Sequence, residues 1–510
     1  MSDISTMKEL LALGQDDAIA IAAPGRPPLT YQGLRAHVQQ TVATLNQLGI
    51  GRNDRVAIGL PNGPQMATAF VAIAAGATTA PLNPAYRKAE FEFYLSDLGA
   101  KALLVEQGSN SPALEVAAEL KLPVLEMTTA PDAPAGLIDI KPAQGNQTGE
   151  PVAKGGFAER DDIALVLHTS GTTSRPKIVP LTQRNVCASA HNVSTNLALT
   201  AADRCLNIMP LFHIHGLIAA VSSSLYAGAS VCCTPGFDAL QFFAWLAEAK
   251  PTWYTAVPTM HQTILTRAGR NREIIANTKL RFIRSSSSSL PTPVMEELER
   301  TFNAPVIEAY GMTEAAHQMA SNPLPPRPRK PGTVGISAGP EIAIMDQQGV
   351  LLPPDTVGEI VIRGINVTPG YENNPKANAE NFTNGWFRTG DQGIMDADGY
   401  LTISGRLKEI INRGGEKISP REVDDVLMEH PAVRQVVTFA MPHNKLGEDI
   451  AAAVVLREGI TVTERELRDF AATRLADFKV PRKILFLEEI PKGATGKLQR
   501  IGLAEKLGVG

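Results

Sequence analysis

Residues 163–177 read IALVLHTSGTTSRPK, in which an apolar run leads into a loop of hydroxyl residues, one glycine and a basic end. The apolar half predicts a buried strand, and the loop can aim backbone N–H groups, hydroxyl groups and the Lys177 ammonium at phosphate oxygens. The loop is not a Walker A sequence, because Pro176 stands at the second glycine position and Ile178 follows the lysine. The stretch therefore predicts a nucleotide-phosphate loop, with an ordinary surface turn as the alternative on composition alone.

The sequence around this loop alternates short apolar runs, turns and longer stretches with helical spacing. Strands are predicted at 54–60, 102–105 and 163–167. Such alternation predicts a mostly parallel α/β sheet over roughly the first 280 residues. The segment 128–156, rich in alanine, proline, glycine and glutamine, is predicted to be a surface loop.

The C-terminal third has a different pattern. Short strands separated by turns predict a small β-rich subdomain at about 335–405. Beyond it, Ser419 and Thr463 have the spacing of helix-capping residues, which predicts a compact α+β domain of roughly 100 residues. The strands predicted in these two regions are 342–345, 359–363, 399–403, 436–440 and 450–456.

Composition excludes several functional classes. The chain has 510 residues, 44% of them hydrophobic, which predicts a globular protein of about three domains. Its 48 Lys and Arg balance 52 Asp and Glu, so no field attracts polyanions and we expect no nucleic-acid partner. The weakly polar stretch 66–80 is too short and too polar to span a membrane, and no targeting pattern is visible, so we expect a cytoplasmic protein. The four cysteines are expected to be reduced and buried.

Four further motifs follow the phosphate loop in a fixed order. Together with the loop they resemble the motif series of the adenylate-forming superfamily, which includes acyl-CoA synthetases, peptide-synthetase adenylation domains and beetle luciferases. The resemblance covers the chain from Leu29 to Lys497. The motifs are IEAYGMTE (307–314), GWFRTGD (385–391), GRLKEIINRGGEKI (405–418) and PKGATGKLQR (491–500).

The resemblance implies an α/β fold with a large N-terminal domain and a small mobile C-terminal α+β domain. The N-terminal domain, 1–407, would hold two α/β sheet subdomains and a small β-barrel-like subdomain. The C-terminal domain, 408–510, would carry the catalytic lysine and turn about a hinge at Lys408.

The resemblance also implies an ATP site. Glu314 would bind Mg²⁺ and Thr313 the α-phosphate, and carboxylate oxygen is the ligand that Mg²⁺ prefers. Asp391 would accept from the ribose hydroxyls beside Arg406, and Tyr310 would stack on adenine. The other expected nucleotide contacts are Thr169, Ser170, Gly171, Thr172, Thr173, Lys177, Gly311 and Met312.

The C-terminal domain is expected to supply groups for two chemical steps. Lys497 is the expected catalytic residue, because one ammonium between a carboxylate and an α-phosphate can stabilise both anions. Gly414 and Gly415 lack side chains and would leave room for the pantetheine of coenzyme A.

Three loops are expected to converge on the acyl substrate, and they supply His213, Ser287 and His317. Ligands of open α/β sheets bind at the carboxyl ends of strands, where these loops lie. The serine run at 285–289 has a flexible linker as its alternative. If His213 and His215 lie on one face of a strand, they suggest a metal site, but no third ligand is near in sequence. A helix starting at Glu314 would place His317 on the same face.

Within the superfamily, residues 281–285 and 308–325 look most like the oxalate–CoA ligases of plants, fungi and bacteria. The resemblance implies a two-step ligase that uses ATP, Mg²⁺ and coenzyme A on a small carboxylic acid. Three alternatives stay open: a malonate ligase, a medium-chain fatty acid ligase, and a non-catalytic or luciferase-like binder of adenylates. We expect a monomer or homodimer without membrane partners. A stand-alone peptide-synthetase domain is disfavoured, because no carrier domain follows.

Overall fold

The computed structural model describes residues 4–143, 152–169, 176–492 and 498–509. Its α-helices are α1 (Met7–Leu11), α2 (Tyr31–Gln47), α3 (Pro64–Ala74), α4 (Lys88–Leu98), α5 (Ala113–Glu119), α6 (Gln183–Asn196), α7 (Ser223–Tyr226), α8 (Phe242–Ala249), α9 (Pro258–Ala268), α10 (Arg272–Asn277), α11 (Thr292–Phe302), α12 (Pro375–Asn381), α13 (Pro420–Met428), α14 (Glu464–Ala472) and α15 (Leu503–Lys506).

Two large sheets form the N-terminal part. The strands before residue 183 are β1 (Ile19–Ala22), β2 (Leu29–Thr30), β3 (Arg55–Ile58), β4 (Thr78–Pro81), β5 (Ala102–Glu106), β6 (Val124–Thr128), β7 (Asp139–Pro142), β8 (Ile163–His168) and β9 (Ile178–Thr182). A seven-stranded sheet has the order β7-β6-β5-β3-β4-β8-β9, with β6, β5, β3, β4 and β8 parallel. The predicted strands at β3, β5 and β8 are confirmed.

The prediction that 128–156 is only surface loop is wrong in part, because β7 lies within it and pairs antiparallel with β6. β7 is a four-residue edge strand in which only Ile140 is buried. Edge strands are commonly short and tolerate proline, here Pro142 at the strand end, so they leave little apolar signal in a sequence.

The second large sheet has nine strands. It adds β10 (Arg204–Asn207), β11 (Ser230–Cys233), β12 (Trp253–Ala256), β13 (Phe282–Ser285), β14 (Val306–Met312), β15 (His317–Ser321) and β16 (Ile336–Ser337). The order is β16-β15-β14-β13-β12-β10-β11-β1-β2. The strands from β14 to β1 in this order are parallel, so their carboxyl ends lie along one edge.

Helix α3 explains the weakly polar stretch noted in the sequence. Every residue of α3 except Gln65 is buried. The helix contacts β4 of the seven-stranded sheet and both β1 and β11 of the nine-stranded sheet, so it is covered by both. A helix buried on all sides is apolar all round. Within the described residues, no helix combines the length and apolar character needed to cross a membrane.

Two smaller sheets complete the fold and confirm the predicted α/β class with a β-rich subdomain and a C-terminal α+β domain. The first contains β17 (Glu341–Met345), β18 (Gly358–Arg363), β19 (Phe382–Thr383), β20 (Trp386–Met395) and β21 (Leu401–Arg406). The second contains β22 (Ile411–Arg413), β23 (Glu416–Ile418), β24 (Val433–His443), β25 (Gly447–Leu456) and β26 (Lys483–Phe486). Ser419 and Thr463 cap α13 and α14 as predicted, each accepting a backbone N–H through its hydroxyl oxygen.

Candidate active site

The carboxyl ends of the two large sheets meet around Asn62, which follows β3. Its Oδ1 accepts from the backbone N–H of Leu211 at 2.7 Å, and its Nδ2 donates to the carbonyl of Thr234 at 3.0 Å. These two residues follow β10 and β11 of the other sheet. A cavity of about 480 Å³ opens here, lined by Asn62, Asn83, Ala85, Tyr86, Glu90, Pro210, Phe212 and Gly236. The crevice has the position at which open α/β sheets bind ligands.

The phosphate loop is closed at its base by a pair of residues. The Thr169 N–H donates to the Lys177 carbonyl at 2.9 Å, and the Thr169 hydroxyl oxygen accepts from the Lys177 N–H at 3.0 Å. Four expected phosphate contacts, Ser170, Gly171, Thr172 and Thr173, lie outside the described residues. The loop therefore starts and ends at one point, directly after β8.

Tyr371 links the phosphate loop to the proposed magnesium ligand, and the sequence reasoning missed it. Its hydroxyl donates to Glu314 Oε1 at 2.7 Å, and the Lys177 ammonium lies 4.4 Å from its ring centre. Burial raises the pKa of Glu314, while the hydrogen bond from Tyr371 acts in the opposite direction. Tyr371 lies 57 residues from Glu314, so no local motif could have paired them.

Asp391 is the common acceptor of two predicted nucleotide residues. Tyr310 donates its hydroxyl to Asp391 Oδ2 at 2.5 Å, and Arg406 Nε donates to Oδ1 at 3.2 Å. Burial and the neighbouring carboxylate raise the pKa of Tyr310 well above its usual value, so its phenol stays protonated. The structure thus brings together three side chains whose nucleotide roles are predictions.

The segment Gly311 to His317 forms a tight hairpin rather than the expected helix. Thr313–Ala315 is a single 3₁₀ turn, and His317 begins β15, so the prediction that His317 shares a helix face with Glu314 is wrong. The turn ends in the left-handed region, at Ala316 with φ of 47° and His317 with φ of 95°. A Cβ on Gly311 would lie 1.8 Å from the His317 carbonyl oxygen and 2.6 Å from its Nδ1. The absence of a side chain at Gly311 therefore allows His317 to lie where it does. His317 pairs with Met312 across the hairpin.

His215, which was not among the predicted acyl-site residues, contacts all three of them. Its Nδ1 lies 3.0 Å from the hydroxyl of Ser287, and its backbone N–H donates to His213 Nδ1 at 3.3 Å. Its ring centre is 5.0 Å from that of His317. The three predicted residues therefore lie in one cluster, which we call the acyl cluster: His213, His215, Ser287 and His317.

The possibility that His213 and His215 share a strand face is wrong, because His215 begins a π-helix, His215–Ser222. π-helical turns are rare and often lie at functional sites. Behind the acyl cluster lies Arg284 of β13, which is fully buried. A charged residue inside the apolar strand FIRS was the one sequence signal that could have marked this position.

The glycine pair of the C-terminal domain forms a two-residue hairpin turn. Gly414 has φ of 60° and Gly415 of 103°, and the turn joins β22 to β23 at the Arg413–Glu416 pair. Two positive φ angles favour glycine at both positions, so the backbone needs these residues whether or not coenzyme A binds there.

Arg500, the last residue of the PKGATGKLQR motif, contacts both the hinge turn and α13. Lys408 is exposed in the short 3₁₀ turn Leu407–Glu409 between β21 and β22. Arg500 pairs with Glu409 at 3.4 Å and with Asp424 of α13 at 2.6 Å. Lys497 lies outside the described residues.

Comparisons with known proteins agree with this arrangement. Residues 11–372 match the AMP-binding enzyme family, and residues 422–497 match the AMP-binding enzyme C-terminal domain. The chain is 46% identical to an Arabidopsis thaliana protein named oxalate–CoA ligase over 502 residues, covering 98% of this chain and 97% of that protein. A Saccharomyces cerevisiae protein of the same name is 43% identical, covering 87% and 85%. ATP-bound MatB from Rhodopseudomonas palustris superimposes with a TM-score of 0.87 at 28% identity, covering 98% of both chains. The chain therefore belongs to the family of AMP-binding, adenylate-forming enzymes.

Proposed function

We propose that this protein is an AMP-forming acid–thiol ligase that converts oxalate to oxalyl-CoA. The observation that carries the proposal is the acyl cluster, in which His215 contacts His213, Ser287 and His317. These polar groups suit a small acid with a second anionic group better than an alkyl chain. The names of the Arabidopsis and yeast relatives support the same substrate.

In the first step, a carboxylate oxygen of the acid attacks the α-phosphorus of ATP. A new P–O bond forms, the bond to the β-phosphate oxygen breaks, and pyrophosphate leaves with its electron pair. Lys497 places an ammonium between the two approaching anions. Lys177 and the backbone of the phosphate loop hold the leaving phosphates, while Asp391 holds the ribose.

Magnesium fits the donor set around Glu314. The carboxylate is 7% exposed, and Tyr371 occupies one of its oxygens with a hydrogen bond, which leaves acceptor capacity for a cation shared with phosphates and water. Glu314 would hold the ion, which would neutralise phosphate charge when bound.

In the second step, the sulfur of coenzyme A attacks the acyl carbon of the adenylate. The C–O bond to AMP breaks, AMP leaves, and the thiol proton is released to solvent. The cavity at the sheet crevice is lined by Phe212, the residue before His213, and we propose it as the route for the thiol. We infer that the C-terminal domain turns about Lys408 between the steps and presents Lys497 in the first and the Gly414–Gly415 turn in the second.

Selectivity for oxalate is expected because a monocarboxylate would leave hydrogen-bond donors of the pocket without an acceptor. A pocket whose buried donors are satisfied by a dicarboxylate leaves them unpaired with a monocarboxylate, and such a mismatch reaches about 10⁴ in kcat/KM. Oxalate should therefore exceed acetate and hexanoate by far more than the roughly tenfold effect of one methylene. Malonate, longer by one methylene, is the second candidate.

The test measures pyrophosphate, AMP and ADP formed from oxalate, malonate, acetate and hexanoate, with and without coenzyme A. Oxalate should give the highest kcat/KM, with AMP released only when coenzyme A is present. A preference for malonate would select the second candidate, and a preference for hexanoate would reject both. ADP formation would exclude the adenylate route, and the absence of turnover would favour a binding protein.

A further inference from the structure

Arg284 is a buried cation beside the acyl cluster. The side chain is fully buried, and among the described residues no carboxylate forms an ion pair with it. Burial lowers the pKa of its guanidinium to about 9, so it is charged at neutral pH. Within the described part of the chain, Arg284 Nε and Gln318 Nε2 lack an acceptor. The interior beside the acyl cluster therefore has an excess of donors and of positive charge.

Arg284 determines which nitrogen of His215 carries the proton. Its NH1 lies 3.3 Å from His215 Nε2, and its NH2 donates to Gln318 Oε1 at 3.1 Å. A guanidinium has only donors, so the nitrogen it faces must accept. The hydroxyl oxygen of Thr255 accepts from the same NH1 at 3.5 Å, so its own proton is free to donate to His215 Nε2, 2.6 Å away. A second proton on the ring would place an imidazolium against the guanidinium in a buried site, which charge repulsion disfavours.

With Nε2 as an acceptor, the proton of the neutral ring is on Nδ1. Nδ1 then donates to the Ser287 hydroxyl oxygen, 3.0 Å away. A hydroxyl that accepts from the imidazole keeps its own proton to donate elsewhere. Ser287 has φ of 72°, a conformation that a serine adopts only when its surroundings hold it.

We propose that Arg284 and His215 are positioning residues that turn the Ser287 hydroxyl proton toward the anionic acyl substrate. Three hydrogen bonds act in series. The Arg284 guanidinium donates to His215 Nε2, His215 Nδ1–H donates to the Ser287 oxygen, and the Ser287 hydroxyl donates to a substrate oxygen. The proposal rests on the proposed function, because Ser287 is assigned there to the acyl site. It assigns the preference for a second anionic group to a buried charge that does not touch the substrate.

The experiment uses a double-mutant cycle with the full-length enzyme and the acid that the wild type uses best. His215→Gln places its amide near the position of Nε2 and cannot donate to Ser287, whereas His215→Asn places an N–H near the position of Nδ1. His215→Gln and Arg284→Met should each raise the KM for the acid about tenfold, the effect of losing one charge-assisted hydrogen bond, with the KM for ATP within about twofold. His215→Asn should restore the KM to within about threefold of the wild type.

Ser287→Ala decides whether the two residues act through the serine. In the Ser287→Ala background, His215→Gln and Arg284→Met should cause little further loss, because residues acting through one group are not additive. Two controls measure the general cost of losing a buried histidine and a half-buried, hydrogen-bonded arginine. His37→Asn removes a buried histidine of α2, and Arg204→Met removes an arginine of β10 that donates to Ser230 and Ala249.

Multiplicative losses in the double mutants, or equal losses in His215→Asn and His215→Gln, would overturn the proposal. If Arg284→Met fails to fold, the His215 pair decides alone. If the wild type prefers a monocarboxylic acid, the proposed function and the selectivity claim fail, while the cycle measured with that acid still decides whether Arg284 and His215 position Ser287.

Discussion

The hydroxyl of Tyr371 donates a 2.7 Å hydrogen bond to the Glu314 carboxylate, while the face of the same ring supports the Lys177 ammonium at 4.4 Å. One aromatic residue thus contacts both the proposed cation ligand and the lysine proposed to bind phosphate. The phenol contacts the carboxylate through its hydroxyl and the ammonium through its ring face.

Tyr371→Phe should move the acid limb of the pH–rate profile upward. The mutation keeps the ring under Lys177 but removes a donor that lowers the pKa of Glu314, so the carboxylate, already shifted up by burial, protonates at higher pH. Because only the ionised form binds a cation, kcat/KM for MgATP should fall below a pH about one unit higher than in the wild type.

Tyr400→Phe is the matched control for that measurement. Tyr400 also donates its hydroxyl, to the Pro328 carbonyl at 2.5 Å, and also carries a lysine, Lys330, 4.3 Å from its ring centre. Its profile should match the wild type. An unchanged acid limb in Tyr371→Phe would contradict the role given to the phenol.

Asp391→Asn should weaken nucleotide binding without affecting the acid. The carboxylate accepts from both Tyr310 and Arg406, so its loss leaves two donors poorly matched in addition to removing the proposed ribose acceptor. The KM for ATP should rise about tenfold, with the KM for the acid within about twofold. Asp396→Asn, which breaks an ion pair with Lys330 just after the same strand, should change neither. Equal increases for both substrates would argue against a ribose contact.

Lys497→Ala and Lys408→Pro should affect opposite half-reactions. Lys497→Ala should abolish pyrophosphate release yet largely spare thioester formation from a preformed adenylate. Lys408→Pro should spare adenylation and slow thioester formation, because proline restricts φ at the hinge. The controls are Lys492→Ala, which lies in the same PKGATGKLQR motif and pairs with Glu489, and Lys408→Ala, which does not restrict φ at the hinge. If both mutants lost both half-reactions equally, the domain would not alternate.

Glu308 should make the folded state less stable as the pH rises. Burial raises the pKa of this carboxyl to about 7, with Arg421 acting against the shift and Asp425 with it. The folded state therefore holds a proton that the unfolded state, with its pKa near 4.5, has lost. The contribution of this carboxyl to the free energy of unfolding is complete below the unfolded-state pKa. It decreases by up to about 3 kcal/mol as the pH rises from about 4.5 to 7.

The measurement is urea unfolding between pH 5 and pH 8. Glu308→Gln keeps the acceptor for the Leu290 N–H and should flatten this dependence. Glu299→Gln is the control, since Glu299 also accepts a backbone N–H, from Val306, but is half-buried beside Arg329. If Glu308→Gln keeps the wild-type slope, the carboxyl is ionised in the folded protein.

The elements predicted from the sequence are those whose signal is local. β3, β5 and β8 are parallel strands covered on both faces, so they are nearly continuous apolar runs. β7 is an edge strand with one buried residue and gives no such run. The caps of α13 and α14 could be read because a capping residue acts within one turn.

In the candidate site, too, only residues inside local motifs were predicted from the sequence. Its motifs identified Tyr310, Asp391 and Glu314, each inside a short conspicuous segment. Tyr371 and Arg284 were missed, because their roles depend on partners 57 and 69 positions away. The helix predicted to start at Glu314 was also wrong. The turn Thr313–Ala315 ends after three residues, because Ala316 and His317 adopt left-handed backbone conformations that cannot continue a right-handed helix.

The close approach of Gly311 to His317 constrains how relatives of this enzyme can diverge. Any side chain at 311 would collide with the carbonyl and ring of residue 317, so a mutation there displaces the histidine before it alters anything else. The closest atom is the backbone carbonyl oxygen of residue 317, 1.8 Å away, so replacing the histidine side chain would not make room for a side chain at 311. Position 311 must therefore stay glycine wherever this hairpin is kept, whatever side chain stands at 317, so the acyl pocket can change at 317 without a change at 311.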